Sequence, residues 1–320
     1  MTTGPSSLNG THVLVTGGAG FIGSNLVEQL VKEGARVRVL DNFTRGIQTN
    51  LANVRDEVEV IEGDLRDTEA LDRAVRNIEV VFHQAAVVSV PYSVQNPTHT
   101  TEVNVVGTLN LLIAARDAGA RRLIFASSCS VYGANLRLPK RETFRPKPIS
   151  PYAASKLTGE MYCSVFDSLW DIETVSLRYF NVFGPRQPAN SEYASVIPLF
   201  ATMMLRGEQP TIFGDGYQRR DFTYVENVVL ANILSATVPK AAGKVFNVGC
   251  GQPLDINELV DSLNGMLETD IKPRYAPTRA GDVRDAWADI TLAQRVMGYQ
   301  PVVDVTEGLR RTVAHIRESL

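Results

Sequence analysis

Apolar, β-branched runs at 11 to 16, 35 to 40, 57 to 61, 78 to 83 and 121 to 126 alternate with stretches of helical character at 21 to 33, 67 to 76, 99 to 118 and 151 to 169. That rhythm predicts βαβ units and a doubly wound parallel sheet of Rossmann type over residues 1 to 180, with a further strand at 172 to 178. Beyond Gly184 the pattern loosens, because Pro185, Pro188, Pro198 and Pro210 cut the chain into short elements. A smaller mixed α/β lobe is expected there, over 181 to 320. The run VFNVGCG at 245 to 251 again reads as a buried strand, so a segment of about 221 to 253 is expected to return to the first domain.

The chain has 320 residues, 44% hydrophobic and 21% charged, which places it among globular proteins. Net charge is −3, and Lys and Arg are scattered apart from short pairs such as Arg121/Arg122 and Arg219/Arg220. No basic stripe points to nucleic acid. The start, MTTGPSSLNG, lacks a cationic segment followed by an apolar one, and no apolar run reaches bilayer length, so a cytoplasmic protein with no membrane partner is expected. Cys129, Cys163 and Cys250 are odd in number and far apart, which gives neither a full disulfide framework nor metal-ligand spacing. Cys129 alone adjoins candidate chemistry, and burial is the usual fate of such a residue.

The strand HVLVT runs into Gly17, Gly18, Ala19, Gly20, Phe21, Ile22 and Gly23, followed by the helical SNLVEQLVKEG. In that order Gly17 permits a tight turn, Gly20 lets backbone approach a pyrophosphate, and Gly23 allows close helix packing. The helix N-terminus meanwhile offers free N–H groups and positive dipole. A second strand, ARVRVLDN, ends in Asp41 and Asn42, with Asp41 eighteen residues after Gly23. A carboxylate there can bind both ribose hydroxyls of adenosine and would repel a 2′-phosphate, so NAD is the expected cofactor.

Tyr152 and Lys156 in SPYAASK stand at i and i+4, on one face of a helix. A phenol titrates near ~10 in water, so it serves as a base at neutral pH only if its surroundings stabilise the phenolate. Lowering it by ~3 units corresponds to about 4 kcal/mol. Lys156, beside a positively charged nicotinamide, is the expected source of that stabilisation.

Taken jointly, TGGAGFIG, LDNFTRG, GDLRD, HQAA, NVVGT, SSCSVYG, SPYAASK, RYFNVFGPRQ, RRDFTYV and RAGDVRDAWAD resemble the extended short-chain dehydrogenase/reductase superfamily, specifically its UDP-hexose 4-epimerases, over nearly the whole chain. The resemblance implies that Asp64 and Leu65 flank the adenine, that Ala85 and Ala86 line the nicotinamide side, and that Asn104 supports the helix behind the site. Phe21, Ile22, Asn42 and Tyr179 complete the implied cofactor contacts, together with Tyr152 and Lys156. Ser128 matches the serine of the family's Ser/Tyr/Lys triad, with a hydroxyl that can bond the sugar oxygen being oxidised, and Ser130 would be a second hydroxyl near the sugar. By the same resemblance Asn181 and Arg220 contact the diphosphate, Phe213 packs on the uracil, and Arg279 and Asp282 hold phosphate and ribose. The implied reaction takes a proton from the sugar 4′-hydroxyl onto Tyr152 while C4′ is oxidised, turns the ketone over, and reduces it on the opposite face.

The family places a gate residue four positions after the ribose-binding acid, where a tyrosine excludes an N-acetyl group. Here that residue is Ala286, so N-acetylated UDP-hexoses are expected to enter alongside UDP-glucose and UDP-galactose. UDP-glucuronate 4-epimerases tend to carry threonine at the position of Asn181 and an arginine where Pro188 stands, which leaves Arg186 as one candidate for a C6 carboxylate. Dehydratases carry an acid just before VYG, where this chain has Cys129 and Ser130, and Glu142 is too far along to substitute in register. A non-enzymatic NAD-binding protein would usually have lost part of the triad. Family members pair two long helices per subunit, which implies a homodimer through 99 to 118 and 151 to 169. No metal is expected.

Overall fold

A computed structural model describes residues 7–188, 195–278 and 284–320. Strands β1 (His12–Thr16), β2 (Arg36–Asp41), β3 (Val58–Glu62), β4 (Val80–His83), β5 (Arg122–Ser128) and β6 (Glu173–Tyr179) join the strand Lys244–Val248 in one seven-stranded sheet. Its order is β3-β2-β1-β4-β5-β6 followed by Lys244–Val248, and every pair is parallel. All four residues of β4 are buried, as are the first six of β5. Near-continuous apolar runs of this kind belong to strands covered on both faces. The strand order reverses between β1 and β4, which opens a crevice at their carboxyl ends where ligands of such sheets bind.

Helices α1 (Phe21–Lys32), α2 (Thr68–Ala74), α3 (Val90–Gln95), α4 (Pro97–Thr101), α5 (Gly107–Asp117) and α6 (Pro151–Leu169) flank the sheet. The start of α6 is set by Ser150, whose Oγ accepts from the Ala153 N–H, and by Pro151 at the first helical position. The helix expected over 99 to 118 forms, within a helical run from Pro97 to Asp117. A π turn, Glu102–Val106, separates α4 from α5. Asn104 lies inside that turn with 2% exposure.

The second lobe has its own core, in which Phe183, Ile197, Phe200, Met204, Leu259 and Leu309 are buried. Its helices are Val196–Leu205, Ile256–Leu267 and Val305–Ser319. Short ladders replace a large sheet there: Thr211–Phe213 beside Arg274–Ala276, and Arg219–Asp221 beside Pro253–Asp255. Val228, Val229 and Ala231 of the helix Val225–Thr237 belong to the larger core, as do Ala288, Ile290, Met297 and Tyr299.

Candidate active site

Gly17 follows β1 with φ of 69°, and a Cβ built on it would lie 2.8 Å from the Ala85 backbone. A Cβ on Gly23 would sit 2.1 Å from the Gly17 carbonyl oxygen, so the first turn of α1 presses directly on the loop before it. Gly20 caps α1 without a side-chain hydrogen bond, and no acidic residue stands in the first turn. No acid of the first turn offsets the positive end of the helix dipole, an arrangement that fits a pyrophosphate.

Asp41 ends β2. Its Oδ2 accepts from the Ala19 N–H and its Oδ1 from the Phe43 N–H, both at 2.9 Å. Burial pushes its carboxyl upward, and those two N–H groups oppose the shift. Asn42 donates to Asp64 Oδ2 (2.8 Å), and Arg66 donates to both oxygens of Asp64, holding that carboxyl down to about 2. Leu65 is buried against Gly107.

A directed chain of hydrogen bonds fixes the segment after β4. The Thr108 hydroxyl donates to the Asn104 carbonyl (2.7 Å), so His83 Nε2–H donates to Thr108 Oγ1 (2.9 Å) and Nδ1 accepts from the Thr16 hydroxyl (2.8 Å). Thr16 Oγ1 then accepts from the Ala85 N–H at 3.3 Å. Burial, with the charge of Lys156 adding to it, pushes His83 down to about 3, so the imidazole is neutral. Asn104 bonds both the N–H and the carbonyl of Val87, at 2.7 and 2.9 Å, and donates to Ser155 on α6. Ala85 and Ala86 are thus held between β1 and α6. The Tyr179 hydroxyl is engaged inside the protein by Gln84 and Asn232, and burial pushes it up to about 12.

Ser128 ends β5, with its side chain beside the Tyr152 phenol. Lys156 is 4% exposed; its Nζ donates to the Ala126 carbonyl at 2.8 Å and lies 5.1 Å from the centroid of Phe125. The expectation that Lys156 lowers the phenol does not hold for the chain by itself. Burial pushes Tyr152 up to about 12, outweighing the lowering by the Ser128 side chain, and the same burial pushes Lys156 down to about 8. The ammonium is directed at the β5 backbone rather than at the phenol. Ser130 Oγ is buried with no hydrogen-bond partner among the described residues, and such a polar atom in a crevice suits a ligand hydroxyl. The Cys129 thiol sits among Ser128, Asn181 and Arg220, and burial raises it to about 11, so it is no nucleophile at neutral pH.

From the second lobe, Asn181 takes the left-handed φ of 28° and donates to the Asp221 carbonyl (3.0 Å). Asp221 is fully buried, and its carboxylate collects the N–H groups of Cys250, Gly251 and Ala288 at 2.8 to 3.0 Å. That ties the strand carrying Arg220 to two other segments. Arg220 pairs in register with Ala286. Side chains alternate along a strand, so Ala286 shares the face of Arg220, whereas Trp287 lies opposite, 4.6 Å beneath the Arg219 guanidinium. Trp287 therefore does not fill the space beside Ala286. Phe213 ends the strand Thr211–Phe213, partly exposed. Arg279 and Asp282 lie outside the described residues.

Arg186 and Glu142, which bear on the alternative substrates, are both engaged elsewhere. Arg186 forks onto Glu28 of α1 at 2.7 and 3.0 Å and donates to the Asn50 carbonyl, so it is a clamp between the lobes. Glu142 accepts from the Asn247 N–H at 2.8 Å. Ser127, Glu160 and Arg178, which belong to none of the expected site residues, form a buried cluster under α6. A signal was available in the spacing, since Glu160 stands eight residues after Tyr152 and so falls on the same helix face.

Residues 13–249 match the family described as "NAD dependent epimerase/dehydratase family". A UDP-glucose 4-epimerase of Mycolicibacterium smegmatis is 40% identical over 310 residues, 96% of this chain and 98% of that protein. Among solved structures, a UDP-N-acetylglucosamine 4-epimerase from Methanobrevibacter ruminantium in complex with UDP-N-acetylmuramic acid superposes with a TM-score of 0.94 at 40% identity, covering 98% of this chain and all of that one. A UDP-glucose 4-epimerase of Thermotoga maritima with UDP-glucose gives 0.92 at 39% identity, covering 97% and 99%. No helix among the described residues is long and apolar enough to cross a membrane. With the glycine turn fitted to a dinucleotide and Ser128, Tyr152 and Lys156 gathered at the crevice, the chain belongs to the NAD dependent epimerase/dehydratase family, within its UDP-sugar 4-epimerases, and is an NAD-dependent isomerase.

Proposed function

We propose that this isomerase interconverts UDP-glucose with UDP-galactose and UDP-N-acetylglucosamine with UDP-N-acetylgalactosamine. The observation that carries the wider scope is the pairing of Ala286 with Arg220 on one face and the stacking of Trp287 on the other. A methyl group at the gate leaves room for an N-acetyl substituent. In this reading Gly17, Gly20, Phe21, Ile22 and Gly23 hold the pyrophosphate of NAD, Asp41 and Asn42 its adenosine ribose, and Asp64 with Leu65 its adenine. Ala85, Ala86, Asn104 and Tyr179 shape the nicotinamide end. Bound NAD supplies reversible oxidation and reduction at C4′ of the sugar. Tyr152 accepts the 4′-hydroxyl proton and later returns it, Ser128 orients that oxygen, and Lys156 brings positive charge to the developing phenolate. Asn181, Arg220 and Phe213 anchor the nucleotide, so binding energy resides away from the reacting carbon.

Two observations weigh against the alternatives. Arg186 is paired with Glu28, which removes that candidate for a uronate carboxylate, and Glu142 is bonded to Asn247 rather than poised as a dehydratase acid. Incubation of the purified protein with UDP-glucose, UDP-N-acetylglucosamine and UDP-glucuronate is expected to yield 4-epimers of the first two only. Ala286→Tyr is expected to cut turnover of the N-acetylated substrate about a hundredfold and leave UDP-glucose within about threefold. Equal turnover of both substrates by that variant would remove the gate from the account.

The active assembly in this reading is a homodimer. Val106 and Ile113 on one helical run, and Met161, Val165 and Leu169 on α6, are exposed apolar side chains at 38 to 67%. Burial of such a stripe between two copies is favourable by about 25 cal/mol per Å². Light scattering is expected to give twice 35.1 kDa, and Val165→Asp to give a monomer. A monomeric parent protein would reject the pairing.

A further inference from the structure

Three successive residues at the tip of β5 engage three residues on one face of α6. The Ala126 carbonyl accepts from Lys156, the Ser127 hydroxyl donates to Glu160 Oε1, and the Ser128 side chain lies beside the Tyr152 phenol. Tyr152, Lys156 and Glu160 are spaced by four residues and so share that face. Glu160 is also clamped from β6, where Arg178 Nε donates to Oε1 at 2.8 Å and Nη2 to Oε2 at 2.7 Å, each side chain 5% exposed. The guanidinium lies 4.8 Å from the ring centroid of Tyr132, in the turn that follows Ser128, and the Tyr132 hydroxyl donates to Asn247 on the seventh strand.

A buried ion pair is a weak device for stability, because the desolvation of both charges offsets their attraction. What a two-pronged Arg–carboxylate contact supplies is one geometry. The other buried contacts of α6 include Ala153, Cys163 and Phe166, apolar side chains that tolerate small slides and rotations. A carboxylate tied to two adjacent strands does not.

We infer that Glu160 and Arg178, with Ser127, are positioning residues that set the register of α6 on β5 and so place the Tyr152 hydroxyl and the Lys156 ammonium in the crevice. The inference rests on the reading of Tyr152 as the proton acceptor. None of the three needs to touch substrate.

Glu160→Gln keeps the side chain's shape and removes the charge that holds Arg178. It is expected to lower kcat for UDP-glucose about thirtyfold to a hundredfold, as small misplacements of reacting groups do, with KM within about threefold and bound NAD retained. The acid limb of the kcat profile should move to higher pH, because a phenol set further from the Ser128 side chain, which lowers it, ionises less readily. Ser127→Ala leaves the ion pair intact and should show the same pattern at about fivefold. If Glu160→Gln fails to fold, Ser127→Ala decides. A lower melting temperature with unchanged kcat and pH profile, or a loss confined to KM, would overturn the inference. Tyr152→Phe is assayed alongside: full activity there removes the reading of the base, whereas an inactive Tyr152→Phe beside a fully active Glu160→Gln removes only the positioning role.

Discussion

Tyr152→Phe is expected to lower kcat by about a thousandfold, within the range that general acid–base groups contribute, with KM for UDP-glucose shifted less than about threefold. The phenol is the group beside Ser128 at the crevice able to exchange a proton with a sugar hydroxyl, and the contacts proposed for the nucleotide lie on the other lobe. Burial holds that phenol up at about 12 in the protein alone, so at neutral pH it is protonated. Burial sets the high value, and the ammonium of Lys156 is turned to the Ala126 carbonyl. Charge arriving with the cofactor is therefore part of the base's activation, and the acid limb of kcat is expected well below pH 12 in the NAD-loaded enzyme. Steady-state rates across pH, with NAD content measured on the same samples, check both statements. Loss of less than tenfold in the phenylalanine variant would contradict them.

Gly23→Ala is expected to purify without stoichiometric NAD and with a clearly lowered melting temperature. The added methyl would lie 2.1 Å from the Gly17 carbonyl oxygen, a backbone atom with no side-chain freedom to yield. Helix α1 or the loop must move, and overpacking of this kind costs about 1–3 kcal/mol or more. Either movement takes the N-terminal N–H groups of α1 off the pyrophosphate position. Acid release and absorbance of the bound nucleotide measure the loss. A variant that retains one NAD per chain would show that the turn is looser than the contact implies.

Much of the architecture was legible in the chain because parallel strands buried on both faces leave unbroken apolar runs. The strand expected at 121 to 126 is Arg122–Ser128, the one at 172 to 178 is Glu173–Tyr179, and the helix at 151 to 169 is Pro151–Leu169. The π turn at Glu102–Val106 left no periodic trace, since one added residue per turn is smaller than the scatter of apolar positions over 99 to 118. The glycine turn and the Tyr152/Lys156 pair were legible from spacing alone. Their electrostatics were not, because the sign of the Tyr152 shift depends on burial that no spacing encodes. Arg178 and Glu160 stand 18 residues apart, one in a strand and one in a helix, and only the packing of α6 on β6 brings them together.

The most direct test of an epimerase acting through Tyr152 is proton NMR of UDP-glucose incubated in D₂O with the purified protein and no added cofactor. Growth of the galactose-configured product, with no deuterium at C5 and no keto sugar accumulating, is the predicted result. Absence of the epimer, or loss of water accompanied by exchange at C5, would contradict it.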